Sequence, residues 1–416
     1  MQTAISPELL VNPDIAEANA ILRSCVHCGF CNATCPTYQL LGNELDGPRG
    51  RIYLIKEMLE GNQSSEKTQL HLDRCLTCRA CETTCPSGVQ YGRLIDIGRQ
   101  VIEERAPRPL WQKIVRRSLL AVLPYPKRFA FVLGISRVVY PLLPLSLQRK
   151  IPAQRRAQSA RPQAIHMRSM LVLEGCVQSL RCALINTAAA RVLDKLGISL
   201  ISASEAGCCG ALNQHLADIN GAHDMMRRNI DAWWPYIEQG AEAIVMSSSG
   251  CGLMVKEYGK TLKHDPDYAA KAARISEFTC DLSEILVRED LSALADVGKG
   301  VRVAYQSSCT LQHGQKLSGV VETILKNCGY ILTPVADSHL CCGAAGTYTL
   351  MQPVLSQQLL ENKLGALQQG DAEVIATANI GCQLHLESAA RLPVKHWIEL
   401  LLPFSQQGKT GSSEKS

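Results

Sequence analysis

The chain has 416 residues, 46% of them hydrophobic and 5% aromatic, and carries a net charge of +5. That is enough apolar material for a core in two or three domains, which excludes a disordered tail, and the small net charge argues against a nucleic-acid partner. The 19 cysteines decide more than any other count.

In chain order, composition divides the sequence into 1–105, 106–165, 166–298, 299–405 and a polar tail at 406–416 that is expected to be disordered. Met1–Asn12 has neither the basic start nor the apolar stretch of a signal peptide. A cytoplasmic location is therefore expected. Thiols stay reduced there, so cysteines in such number serve metals or catalysis rather than disulfides.

The first region contains Cys25-x2-Cys28-x2-Cys31-x3-Cys35-Pro36 and Cys75-x2-Cys78-x2-Cys81-x3-Cys85-Pro86. This is the spacing of bacterial two-cluster ferredoxins. Three closely spaced thiolates wrap one cubane, and the fourth lies too far along the chain to close the same one. The spacing thus predicts a 4Fe-4S cluster on Cys25, Cys28, Cys31 and Cys85, and a second on Cys75, Cys78, Cys81 and Cys35. A structural zinc site would leave the third cysteine and the following Cys-Pro unexplained. Gly29, Ala33 and Ala80 are small enough to bring backbone N–H groups to the sulfides. The intervening Thr37–Arg74 reads as helical over Arg51–Glu60 and Glu66–Asp73, which favours a helical ferredoxin domain over a hairpin one. Arg49 and Arg51 have two readings: cations beside a cluster that raise its potential, or solvated side chains at a helix start.

From Arg105 to Leu173 there are 14 Lys and Arg and no Asp or Glu. Such a run marks a surface that meets something negative, either an acidic partner or the anionic face of a membrane. Phe129–Leu147 is apolar, but Arg137, Pro141 and Pro144 interrupt it, so no spanning helix is expected there. Helical stretches at Trp111–Ser118 and Phe129–Tyr140 read either as a surface that docks on the inner leaflet or a partner, or as a linker packed between domains.

The remainder is an internal repeat. Leu171–Leu173, then Cys176, a helical stretch Ile185–Leu196 and Cys208-Cys209-Gly210 correspond to Val301–Tyr305, Cys309, Val320–Asn327 and Cys341-Cys342-Gly343. Cys251 and Cys382 close the two copies at matching offsets. Duplication with matching spacing predicts a pseudo-symmetric pair of α/β lobes. The runs Ala243–Met246 and Val374–Ala378 read as buried strands followed by turns that carry the cysteines. Cys176, Cys208, Cys209 and Cys251 in one copy, and Cys309, Cys341, Cys342 and Cys382 in the other, suit an additional Fe–S or Zn site in each. Cys182, Cys280 and Cys328 fall outside the pattern and read as ordinary buried thiols. No G-x-G-x-x-G, Walker loop or HExxH occurs.

The Cys…Cys-Cys-Gly…Gly-Cys repeats resemble the CCG cysteine-rich domains of heterodisulfide reductases and their relatives. Together with the stretches Cys25–Tyr38 and Asp46–Tyr53, the chain is most similar to the family of bacterial glycolate oxidase (glycolate dehydrogenase) iron–sulfur subunits. The resemblance spans about residues 20–402. It implies an α+β multidomain chain: an N-terminal α-helical two-cluster ferredoxin domain, then two pseudo-symmetric α/β CCG lobes. It also implies electron transfer in a flavin-dependent 2-hydroxy-acid dehydrogenase complex that oxidises glycolate to glyoxylate. The partners would be FAD-containing subunits and a quinone or other membrane acceptor, on the cytoplasmic face of the inner membrane. Equivalent subunits serve D-lactate or glycerol-3-phosphate. The fullest CCG domains end in CxxC and hold a non-cubane cluster. Here Met254 and His385 occupy those last positions, which speaks against heterodisulfide chemistry and leaves His385 as a nitrogen ligand or a packing residue.

Overall fold

The structure is a computed structural model that describes residues 1–138 and 160–403. The end of the Phe129–Leu147 stretch and the 406–416 tail lie outside the described residues.

Residues 1–106 are helical. Pro13 opens a helix to Ser24, and the Asn12 side chain accepts hydrogen bonds from its first-turn N–H groups. Pro48 opens another to Leu59. A Ser65–Thr68 capping box starts Glu66–Asp73, and Tyr91–Arg105 closes the set. Their apolar stripes meet in one core that includes Leu22, Ile55, Leu72, Leu94 and Ile102. The domain is a helical ferredoxin, as the linker between the motifs predicts.

Two four-stranded parallel sheets follow. β1 (Arg168–Val172), β2 (Ile198–Ser202), β3 (Ile244–Met246) and β4 (Thr279–Asp281) lie in the order β2-β1-β3-β4. β5 (Arg302–Gln306), β6 (Ile331–Leu332), β7 (Val374–Thr377) and β8 (Val394–His396) repeat that order as β6-β5-β7-β8. β3 and β7 are buried throughout, as parallel strands covered on both faces must be. The crossover helices Ala183–Lys195 and Val320–Asn327 do not fill separate cores. Ile185, Val192 and Val245 of one lobe pack in one cluster with Val303, Ile324 and Trp397 of the other.

In this strand order the connections leave in opposite directions from β1 and β3, and from β5 and β7. Loops there part to leave a crevice at the carboxyl ends of the strands. Cys176 follows β1, Cys208-Cys209 follow β2 and Cys251 follows β3. Cys309, Cys341-Cys342 and Cys382 follow β5, β6 and β7.

Between ferredoxin and lobes runs a helical hairpin, Leu110–Val122 and Pro126–Val138, bent by 112°. No single helix is long and apolar enough to cross a membrane, although this bent pair passes the test of length and composition. The first helix has no buried residue. Arg116 and the preceding Arg108 tie it to Asp73, and its apolar side chains face outward.

Candidate metal centres

The two Cys-x2-Cys-x2-Cys loops follow one backbone course. His27 and Gly29 in the first, and Thr77 and Arg79 in the second, all have φ near +50 to +90°. Two left-handed residues within three positions bend each loop sharply. Three of these residues carry a Cβ and are strained there, which is the mark of a loop shaped for a ligand. Short helices Phe30–Ala33 and Ala80–Thr84 then place Cys31 and Cys81, and Cys35 and Cys85 follow in extended conformation.

The loops exchange their last cysteines. Cys25, Cys28, Cys31 and Cys85 line one small cavity. Burial, then the neighbouring Cys25, Cys28 and Cys85, push the Cys31 thiol up to about 11. Burial raises Cys81 as well, with Cys78, Cys75 and Cys35 as its thiol neighbours. Cys81 also borders the cavity of the first set. Such thiols are neutral until iron displaces their protons. Polar groups already lie beside the sulfurs. Thr77 N–H lies 3.4 Å and Tyr91 OH 3.6 Å from Cys75 Sγ, while Thr37 Oγ1 lies 3.3 Å from Cys35 Sγ.

The two sets differ in exposure. Cys28 is exposed, beside Val26 and Phe30, whose side chains are 66% and 62% exposed. Cys78 and Cys81 are buried. Of the two arginines read as alternatives, Arg49 stays at the surface with Glu44. Arg51 is buried, donating to His71 O at 2.7 Å and to Thr37 Oγ1 at 3.1 Å, with the Cys75 and Cys35 thiols near enough to act on its charge.

In the lobes, both Cys-Cys turns end in a left-handed glycine, Gly210 at φ +90° and Gly343 at φ +88°. A Cβ at Gly343 would lie 2.8 Å from Ser356 O, so the turn requires glycine. Cys251 and Cys382 sit in the first turns of helices Ser249–Lys256 and Ile380–Glu387. Hydrogen bonds from Cys176 and Cys209 hold Cys208 well below the usual thiol range. In the second lobe Cys309 and Cys341 sulfurs are 3.9 Å apart, and mutual hydrogen bonding with burial raises Cys309.

Both quartets line one cavity of about 1350 Å³ between the lobes and the ferredoxin domain. Among the described residues no three Cys, His, Asp or Glu side chains converge as a single ion requires. Four thiols in each lobe are a donor set that suits an iron–sulfur cluster. Met254 and His385 also line the cavity. The His385 Nε2 is 3.2 Å from Ser356 Oγ, and burial keeps the ring neutral. It packs beside Gly343, in line with the packing reading. Of the cysteines outside the pattern, Cys182 and Cys328 are buried, whereas Cys280 is half-buried on β4.

The ferredoxin is fixed to both lobes. The Arg79 guanidinium pairs with Glu257 of the first at 2.7 Å. Thr83 Oγ1 lies 3.0 Å from His313 Nδ1 of the second, and Tyr348 OH donates to Arg74 O at 3.1 Å. Leu76, Cys78 and Ala80 pack directly against Cys341, Tyr348 and Leu355, with Cys309 beside them.

Sequence reasoning missed two residues at the lobe centres. Lys363 is buried near Cys341 and Cys342, and Arg228 acts on Cys208. Their position on the helix after each Cys-Cys turn, 22 and 20 residues beyond Cys341 and Cys208, is the signal that could have found them.

A 4Fe-4S dicluster domain model matches residues 21–89, and a cysteine-rich domain model matches twice, at 170–256 and 303–387. The chain is 55% identical to the glycolate oxidase iron-sulfur subunit of Escherichia coli (strain K12), over 96% of this chain and 98% of that one. It is 29% identical to a protein of Bacillus subtilis (strain 168) named "Probable glycolate oxidase iron-sulfur subunit", over 88% of each. The crystal structure of a hypothetical protein from Helicobacter pylori superposes with a TM-score of 0.54 at 10% identity, covering 96% of this chain and 73% of that one, which shows a shared fold. Two 4Fe-4S motifs, a duplicated cysteine-rich lobe and near full-length identity place the chain in the family of glycolate oxidase iron–sulfur subunits.

Proposed function

We propose that the chain is the electron-transfer subunit of a flavin-dependent dehydrogenase that oxidises glycolate to glyoxylate, and that it works between an FAD-containing partner subunit and membrane quinone. The oxidation removes two electrons and two protons, so a flavoprotein takes the hydride and releases its electrons singly. Iron–sulfur clusters, when bound, supply one-electron transfer. Cys25, Cys28, Cys31 and Cys85 would hold one 4Fe-4S cluster, and Cys75, Cys78, Cys81 and Cys35 the other. The lobe quartets would hold further iron–sulfur centres.

The observation that carries this reading is the packing of Cys78 against Cys341 and Cys309. It makes the ferredoxin thiols and the lobe thiols one continuous set rather than two isolated sites. At one end Cys28 is exposed within an apolar rim, a face on which a flavoprotein fits. At the other, Tyr125 of the helical hairpin packs against Cys176 and Cys208. The hairpin exposes Trp111, Ile114, Phe131 and Ile135 next to the exposed cations Lys113, Arg117, Lys127 and Arg128. That combination suits a peripheral seat on the anionic cytoplasmic face of the inner membrane. Met254 and His385, in place of the closing cysteines, speak against thiol reduction at the lobes.

The test is glycolate-dependent quinone reduction by the assembled complex carrying Cys28→Ser. The expected outcome is loss of quinone reduction while the flavoprotein still reduces a soluble dye. Full quinone reduction by the variant would overturn the relay.

A further inference from the structure

Each lobe carries a cation on the long helix beyond its Cys-Cys turn, Lys363 buried and Arg228 half-buried, and neither has a carboxylate partner among the described residues. In the second lobe it is Lys363, 4% exposed on helix Pro353–Leu367. Its ammonium donates to the backbone carbonyls of Asp337 at 2.8 Å and Ser338 at 3.5 Å, which occupies two of its three donors. The Asp337 side chain is exposed. The Cys342 and Cys341 thiols are near enough to act on the Lys363 charge.

In the first lobe it is Arg228, on helix Ile219–Glu238. Its Nε and Nη2 are buried and find no hydrogen-bond partner among the described residues. The guanidinium lies against Gly207, where a Cβ would collide with it, and its charge acts on Cys208. Glu205, Asp224 and Asp231 border the same surface hollow, but none takes those two donors.

A buried cation with only carbonyl partners, or none, is costly unless an anion stands beside it. A thiol that keeps its proton is no anion. Each cysteine that binds metal gives up its proton, so a four-thiolate centre is negative and supplies the missing charge. A cation on the long helix beyond the Cys-Cys turn in both halves of the repeat, 22 residues past Cys341 and 20 past Cys208, makes this a feature of the site rather than an accident of one helix.

We propose that Lys363 and Arg228 are the charge partners of the lobe centres, holding them in place and raising their reduction potentials. This rests on the reading that the lobes carry iron–sulfur clusters. Lysine presents a point charge and arginine a planar fork, so the two quartets, alike in sequence, are not electrically alike. Both act through the thiolates and are positioning residues.

The experiment is a redox titration of the anaerobically purified chain, followed by electron paramagnetic resonance, with iron, sulfide and zinc measured on the same samples. Lys363→Met and Arg228→Met are compared with the charge-retaining Lys363→Arg and Arg228→Lys. Each Met variant is expected to shift one lobe signal, a different one in each case, to lower potential. The shift should be at least about tenfold in the reduced-to-oxidised ratio at fixed potential, or 59 mV for a one-electron centre. The charge-retaining variants should restore most of it. Where a Met variant instead loses the iron of one lobe, recovery in its charge-retaining counterpart also supports the proposal. Parent potentials at parent iron content in both Met variants would overturn it, as would iron loss that the retained charge does not repair. Zinc in the lobes would overturn it too, while leaving the ferredoxin relay from the flavoprotein intact.

Discussion

At the scale of single residues, Arg51 shows how much a site depends on depth. It is 1% exposed, it bridges Thr37 and His71 O, and it shares a buried pocket with Asp46 and the Cys75 and Cys35 thiols. Removing one member of a buried charge group costs about 3–5 kcal/mol, because the others are left unpaired. Arg51→Met is therefore expected to lower the stability of the chain by about that amount and to lose iron from the inner ferredoxin site first. Denaturant unfolding and iron content check both effects; unchanged values in each would contradict this role for Arg51. Arg51→Lys keeps the charge but not the fork that reaches both partners, so it should fall between. The sequence carries Arg51 openly within Gly-Pro-Arg-Gly-Arg, but not its depth. Arg49, two residues earlier, ends at the surface. Only the packing of Glu66–Asp73 over the helix start separates them.

At the scale of elements, the two cysteine loops share a backbone course but differ at every position between their first three cysteines. Gly29 takes the left-handed position in one loop and Arg79 in the other. A non-glycine residue there costs about 1–2 kcal/mol, and Arg79 offsets it through Glu257. Arg79→Gly should relieve the strain and lose the bridge, whereas Arg79→Ala keeps the strain and loses the bridge. Unfolding midpoints are expected in the order parent, Gly, Ala, with the Gly variant about 1 kcal/mol above Ala. An Ala variant equal to or above Gly would refute the strain. The cysteine spacing made these loops legible, and the repeat made both sheets legible: Val320–Asn327 is helical over the predicted span. What stayed hidden was non-local. β6 is two residues long and finds its place only by pairing with β5. The Arg228 and Lys363 cations leave only a faint trace, their similar offsets of 20 and 22 residues from Cys208 and Cys341.

At the scale of the whole molecule, the helical hairpin is the surface that sequence left open between docking and packing. Trp111 and Phe131 are 63% and 69% exposed, and burying one large aromatic is worth about 2–3 kcal/mol. The assembled complex is therefore expected to sediment with vesicles rich in anionic lipid, and less so as salt rises. Replacing both aromatics by Glu should weaken binding at least about tenfold. Equal sedimentation of parent and variant would contradict a membrane seat for the hairpin. The shared core beneath the lobes bears on a different matter, the history of the chain. Val245 stands in one core with Val303 and Trp397, so each duplicated half now supplies the inner wall that the other lacks. A hinge between them would open that wall to water, and a half cut free would expose it. The ancestral single copy must have closed this face in some other way, and pairing with a twin is the simplest.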